Sequence, residues 1–231
     1  MRTDYDVIIS GAGAAGLYGA LNLDENLNVL LVCKRELTLC NSSLAQGGIA
    51  AVVYTDDDSP DLHMNDTFIA GGFKNNPESL KVLVNDGPED VKNLLKLGAD
   101  FDKTPDGKYH LTLEGGHSRH RIFHHADCTG REIVDTLIKQ VKARSNITIA
   151  ENCLVSDIKQ VPGGFCLNLL QDDRFTAVSA PFCMLCTGGI GRVYEYTTNS
   201  AIATGDGIAF AYNMGAKIKN LHLVQFHPTA F

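Results

Sequence analysis

No apolar run in this chain approaches the about 18 residues that a membrane-spanning helix requires, so the sequence offers no transmembrane segment. A cationic excess is missing as well. Lys and Arg number 20 against 27 Asp and Glu, a formal net charge of -7, and the bases are scattered, which gives no support to nucleic-acid binding. The chain also lacks the basic start and apolar stretch of a secretory signal, since Asp4 and Asp6 flank its first apolar run. Seven cysteines, an odd count without framework spacing, show no disulfide pattern and suit a reducing compartment. Together these absences lead us to expect a cytoplasmic protein. At 231 residues and 44% hydrophobic, the chain can bury one large core or two small ones.

What is present begins at once. Asp6 to Ser10 is an apolar strand running into Gly11-Ala12-Gly13-Ala14-Ala15-Gly16, a Gly-x-Gly-x-x-Gly turn that opens a helix from Leu17. Gly11 allows the tight turn, Gly13 lets backbone approach a pyrophosphate, and Gly16 permits close packing of helix on strand. The helix N-terminus then faces the phosphates with its N–H groups. A second strand, Val29–Val32, follows on schedule, but Cys33-Lys34-Arg35 stands where an acid would bind ribose hydroxyls. That leaves ribose recognition to Lys34, a backbone group or Glu36, and weakens a plain NAD-dependent reading.

The segment Asn41 to Val52 is small and polar at its start and apolar after Gly48, a loop suited to lie against a flat ligand, with Gln46 able to donate and accept. Helices are expected over 61–70, from Pro77 through Asp86, and again from Pro88 through Leu97, with Leu80, Val84, Val91, Leu94 and Leu95 as packing positions. Glu114 lies among small residues ahead of Arg119 and Arg121, either a solvated turn residue or a functional carboxylate. Thr129 opens a further helix, 146–150 is a strand, and three runs up to Val178 suggest a small antiparallel meander turning at Pro162-Gly163 and Asp172-Asp173.

Phe182 to Cys186 returns to the main sheet and ends in Thr187-Gly188-Gly189-Ile190-Gly191, a second glycine-rich turn where ligands of open α/β sheets bind. Its Cys183-Met184-Leu185-Cys186 reads as core strand rather than a metal or redox pair. The cluster His117, His120, His124 and His125 lacks the helix-phased spacing of a zinc site. Asp206, in Gly205-Asp206-Gly207, is placed to accept from ligand hydroxyls or to cap the helix that follows.

Gly11 to Gly16, 43–50 (SLAQGGIA), Glu114-Gly115-Gly116-His117-Ser118, Cys186-Thr187-Gly188-Gly189, 204–207 (TGDG) and 225–229 (QFHPT) resemble, in order, the succinate dehydrogenase/fumarate reductase flavoprotein family. Within it they are most similar to the L-aspartate oxidases. The resemblance implies a Rossmann-like α/β FAD-binding domain over residues 1–231, with a parallel central sheet and a small antiparallel meander. It also implies that the family's capping domain, the arginine that acts in proton transfer and clamps carboxylate, a final FAD-contacting segment and a C-terminal helical domain lie outside this stretch, so that the chain is an N-terminal portion.

The same resemblance assigns FAD contacts to Gly11, Ala12, Gly13, Ala14, Ala15 and Gly16, to Lys34, and to Asn41, Ser42, Ser43, Leu44, Ala45, Gln46, Gly47 and Gly48. Leu154, Val155, Gly188 and Asp206 complete that set. No histidine precedes Ala45, where covalent members attach flavin, so FAD is expected to be non-covalent. Glu114 and His227 would face the substrate, His227 holding a carboxylate and Glu114 the ammonium of L-aspartate, at a position where dicarboxylate reductases carry an uncharged residue. The implied reaction passes hydride from C2 of L-aspartate to the flavin, with oxygen or fumarate as final acceptor and quinolinate synthase as a candidate partner in NAD biosynthesis. Two alternatives remain open: a soluble fumarate reductase or succinate dehydrogenase flavoprotein, and an inactive FAD-binding fragment.

Overall fold

The computed structural model describes residues 5–226. In chain order its elements are β1 (Val7–Ser10), α1 (Ala14–Leu21), β2 (Val29–Val32), α2 (Asn41–Leu44), β3 (Ile49–Ala50), α3 (Pro60–Ala70), α4 (Pro77–Leu97), β4 (Leu111–Thr112) and β5 (Ile122–Phe123). Then come α5 (Thr129–Ala143), β6 (Ile147–Ala150), β7 (Leu154–Val161), β8 (Gly164–Gln171), β9 (Arg174–Ala180), β10 (Phe182–Leu185), a 3-10 turn at Gly191–Val193, and α6 (Asp206–Asn213). These form two compact units: Ala45–Thr136 is one, and the described residues on either side of it make the other.

The flanking unit is built on a four-stranded parallel sheet in the order β10-β1-β2-β6. The burial of Val7, Ile8, Ile9 and of every residue of β2 explains why these strands read as unbroken apolar runs rather than as alternating ones: sheet covered on both faces has no polar side. A separate antiparallel sheet, β7-β8-β9, packs its inward residues Leu167, Leu169 and Val178 into one cluster with Ile8, Leu30 and Val32. The expected parallel sheet and meander are therefore both present. Asp172 and Asp173, at φ 49° and 58°, make the tight β8–β9 connection, left-handed conformations that short polar side chains tolerate.

Two sequence expectations need correction here. The stretch 77–97 is one helix, not two: α4 runs through Pro88. Proline removes one hydrogen bond and crowds the preceding turn, yet Leu80, Val84, Val91 and Leu94 fall on one face and are all buried, so packing on both sides of Pro88 sustains one helix. Asn76 caps the helix by accepting from the Ser79 N–H at 2.9 Å, and Gly98 ends it at φ 104°. The second correction concerns 41–52. Its first four residues form the single helical turn α2, and Ile49 and Ala50 pair with Phe123 and Ile122, so only 45–48 and the residues after Ala50 are loop.

The central cluster depends on side chains that have no room to relax. Leu30 is fully buried, so Leu30→Ala is expected to cost about 2–5 kcal/mol, read as a fall in the urea midpoint with the slope unchanged.

Candidate functional site

The carboxyl ends of β1, β2 and β10 converge on a cavity of about 330 Å³ within the flanking unit. The strand ends are its floor: Ser10, Val32 and Leu185 line it, continued by Gly11, Ala12, Gly13, Cys33, Lys34, Thr187, Gly188 and Gly189. Three glycines make this geometry possible. At Gly11, φ is 108°, and a Cβ would collide with the carbonyl of Cys186. A Cβ on Gly16 would collide with the Gly11 carbonyl, so the start of α1 can lie this close to β1 only without a side chain there. Gly13 is the N-cap of α1 without a side-chain cap bond, and the first turn carries no acid. An anion is therefore the natural partner for that helix end.

Opposite the glycine turn, Ser42 on α2 accepts from the Ala14 N–H at 3.1 Å, and a Cβ on Gly13 would press on the same hydroxyl at 3.2 Å. Asn41 beside it bonds twice to the segment before α6: it donates to Asn199 Oδ1 at 2.8 Å, and its own Oδ1 accepts from the Ser200 N–H at 2.7 Å. Lys34 reaches across to α6, donating to Asp206 Oδ2 and Thr204 Oγ1, both at 2.6 Å. Burial pushes the Asp206 carboxyl upward, but the hydrogen bonds from Lys34 and Thr204 outweigh it and hold the group below the usual carboxylate range. Gly205, at φ 79°, is the N-cap of α6; Asp206 is the first residue of the helix and the partner of Lys34. Its side chain is thus not the cap that its position in the sequence allowed.

Of the residues expected to contact a cofactor, Gly11, Ala12, Gly13, Ala15, Lys34, Asn41, Ser42, Leu154, Val155, Gly188 and Asp206 line this one cavity. Ala14, Gly16, Ser43 and Leu44 do not; Gly16 packs against the Gly11 carbonyl, and Ser43 turns inward to donate to Thr38 and Cys40 carbonyls at 2.8 Å. Ala45, Gln46, Gly47 and Gly48 belong to the other unit. Sequence reasoning missed Leu37, Leu39, Cys153 and Ile202 in the wall. Four cysteines contribute to it in all, Cys33, Cys40, Cys153 and Cys186. Burial is the main cause that pushes Cys33 up to about 12, aided by Glu151, and it also raises Cys153 and Cys186.

In the other unit, Glu114 accepts from the Gly48 N–H through Oε1 at 3.1 Å, and a Cβ on Gly47 would sit 3.4 Å from Oε2. The carboxylate is exposed but tied to the backbone through the Gly48 N–H. His117 and Ser118 follow directly and join a buried ion cluster. Arg121, 1% exposed, donates to both oxygens of Asp58 at 2.7 Å and to Asp66 at 2.6 Å. Burial opposes ionisation of Asp66, but bonds from the Ser118 N–H, Arg121 and the Ser118 hydroxyl prevail and lower its pKa to about 2. Of the other histidines in the sequence cluster with His117, His124 contacts Asp102 at 3.1 Å and His110 at 3.0 Å, His125 the Asp100 carbonyl and, at 3.9 Å, Asp102 as well, and His120 the Leu111 carbonyl. His227 lies outside the described residues.

The FAD binding domain family matches residues 6–231. The chain belongs to this family. FAD is its cofactor, and the cavity fits that assignment: glycine backbone for a pyrophosphate at the N-terminal end of α1, and polar groups of α2 and α6 around it. The chain is 42% identical over 233 residues to an L-aspartate oxidase of Clostridium perfringens, covering 100% of this chain and 52% of that protein. It is 43% identical to one from a Nostoc species, covering 99% of this chain and 40% of the relative. Among solved structures, FrdA of E. coli quinol fumarate reductase matches with a TM-score of 0.87 at 30% identity, over 92% of this chain and 37% of that one. The chain thus spans about half, or less, of the length of these proteins. Among the described residues, no helix is long and apolar enough to cross a membrane.

Gly11→Ala should abolish flavin retention, because the Cys186 carbonyl leaves no space for the methyl group; absorbance of the purified variant after FAD loading and desalting checks this. The ion cluster predicts an acid response. The folded pKa values of Asp58 and Asp66 lie below the ordinary 3.8. Their stabilisation is therefore complete above that value and drains as pH falls from 3.8 toward the folded value of Asp66, about 2. An acid titration followed by circular dichroism should lose stability over that interval, and Asp66→Asn should flatten the slope.

Proposed function

We propose that this protein uses non-covalently held FAD to oxidise L-aspartate to iminoaspartate. The observation that carries the reading is Glu114, a carboxylate set on the Gly47-Gly48 backbone in a chain more than 40% identical to L-aspartate oxidases. An amino-acid substrate brings an ammonium, and Glu114 has Oε2 available once Oε1 has accepted from Gly48. Succinate offers no cation, so a dicarboxylate substrate would leave that carboxylate without a role. The likeness to quinol fumarate reductase supports the fold and a redox flavin chemistry, which makes a soluble fumarate reductase the second reading.

FAD, when bound, supplies the two-electron acceptor that the protein itself lacks. The residues of the chain do the rest. Gly11 and Gly13 bring backbone to the pyrophosphate, and α1 directs its N–H groups there. Asp206, kept ionised by Lys34 and Thr204, is an acceptor for ribose hydroxyls, the task that the missing acid after β2 would perform in a plain dinucleotide fold. Asn41 to Leu44 carry no histidine, consistent with flavin held without a covalent bond. Glu114 orients the substrate through its ammonium, and His227 is assigned a substrate carboxylate. The product then enters quinolinate formation toward NAD, with quinolinate synthase as the consuming enzyme, oxygen or fumarate as the electron acceptor, and the cytoplasm as the compartment.

The test is anaerobic absorbance of the FAD-loaded protein. L-Aspartate should bleach the flavin and succinate should not; bleaching by succinate alone would turn the assignment to the second reading. Glu114→Gln should raise the KM for L-aspartate about 10- to 100-fold, the value of a charge-assisted hydrogen bond of about 1.5–3 kcal/mol.

A further inference from the structure

Arg121 is the largest fully buried side chain of the protein, and nothing in the proposed chemistry uses it. Its surroundings point toward Glu114. A guanidinium has five N–H donors and no acceptor, and this one spends them on Asp58 through two nitrogens, on Asp66, and on His117 Nδ1 at 3.0 Å. Since Arg121 can only donate, His117 must accept at Nδ1, which fixes its tautomer with the proton on Nε2. Asp66 holds the next residue as well, accepting from both the N–H and the hydroxyl of Ser118 at 2.8 Å.

Those anchors lie at one end of a tight turn whose other end is Glu114. The His117 N–H donates to the Glu114 carbonyl at 3.1 Å across Gly115 and Gly116, and Gly116 has φ 87°, the left-handed residue that a type II turn requires at its third position. Glu114 itself is exposed, and the bond to Gly48 is its side chain's hydrogen bond in the described structure. A long carboxylate on an exposed turn has several rotamers to lose, so its aim depends on where the backbone of the turn stands. That backbone is held by His117 and Ser118, and they by the ion cluster.

We propose that Arg121 is a positioning residue: clamped by Asp58 and Asp66, it fixes His117 and through the 114–117 turn sets the Glu114 carboxylate against Gly48. Its bearing on substrate rests on the functional reading above, in which Glu114 takes the ammonium; the geometric claim does not. The Gly48 amide reports that geometry directly, because an N–H bonded to a carboxylate resonates downfield of one that is not.

The experiment is a ¹H–¹⁵N spectrum of the FAD-loaded protein, with Glu114→Gln setting the scale for loss of the charged acceptor. His117→Ala, which leaves the Arg121–Asp58–Asp66 cluster whole, should move the Gly48 amide upfield toward the Glu114→Gln position. His117→Asn, whose amide oxygen can stand in for Nδ1 as acceptor, should restore it. Arg121→Lys, which keeps the charge but cannot serve all three partners, should shift it as His117→Ala does. An unchanged Gly48 amide in His117→Ala, or a shift that His117→Asn fails to restore, would overturn the proposal, even if Arg121→Lys does not fold. With L-aspartate, His117→Ala should raise KM and leave kcat nearly unchanged, whereas general loosening of the fold would lower both kcat and flavin content. If the wild-type protein is not bleached by L-aspartate, the functional reading fails while the Gly48 result still decides the positioning claim.

Discussion

Close approach of backbone to backbone at the ends of two parallel strands, β1 and β10, is the constraint on which this protein is built. The Gly11 turn lies against the Cys186 carbonyl at the end of β10, and Gly16 lies against Gly11, so that strand end, turn and helix start form one contact. Any side chain at either glycine would push these pieces apart. The apolar strands supply the force that holds the contact closed; the glycines allow it. The cavity follows from the two acting together, since the strand ends supply its floor and the turns after them its walls.

Where the local sequence carries the whole instruction, it could be read in advance. The β1–turn–α1 unit, the second glycine-rich turn after β10 and the meander with its Asp172-Asp173 connection are of this kind, because their residues interact within a few positions or repeat with a period. Partners far apart in sequence were not legible. Asp206 offered two local roles, and its strongest partner is Lys34, 172 positions away. Nothing local to Arg121 marks it as buried, since its partners Asp58 and Asp66 arrive from the loop before α3 and from α3 itself. Pro88 misled for the opposite reason: its local rule is real, but four buried residues on one face of α4 override it.

The two ion clusters show how differently a charge pair can serve. Lys34 and Asp206 are about three-quarters covered and tie the end of β2 to the start of α6 beside a ligand cavity. Arg121 and its two aspartates are almost wholly withdrawn from water, where a lone charge could not persist and where each member is held by several bonds. The first pair lines a cavity; the second holds the polypeptide itself.

The four cysteines that contribute to the cavity wall set its chemical reactivity. A thiolate is a good nucleophile and a good reductant, and a thiol is neither. A wall of ionised sulfurs beside a flavin would offer it electrons from the protein and invite adducts. Burial keeps Cys33, Cys153 and Cys186 protonated at any physiological pH. The apolar packing that builds the cavity therefore also keeps these three sulfurs in their unreactive form beside the cofactor site.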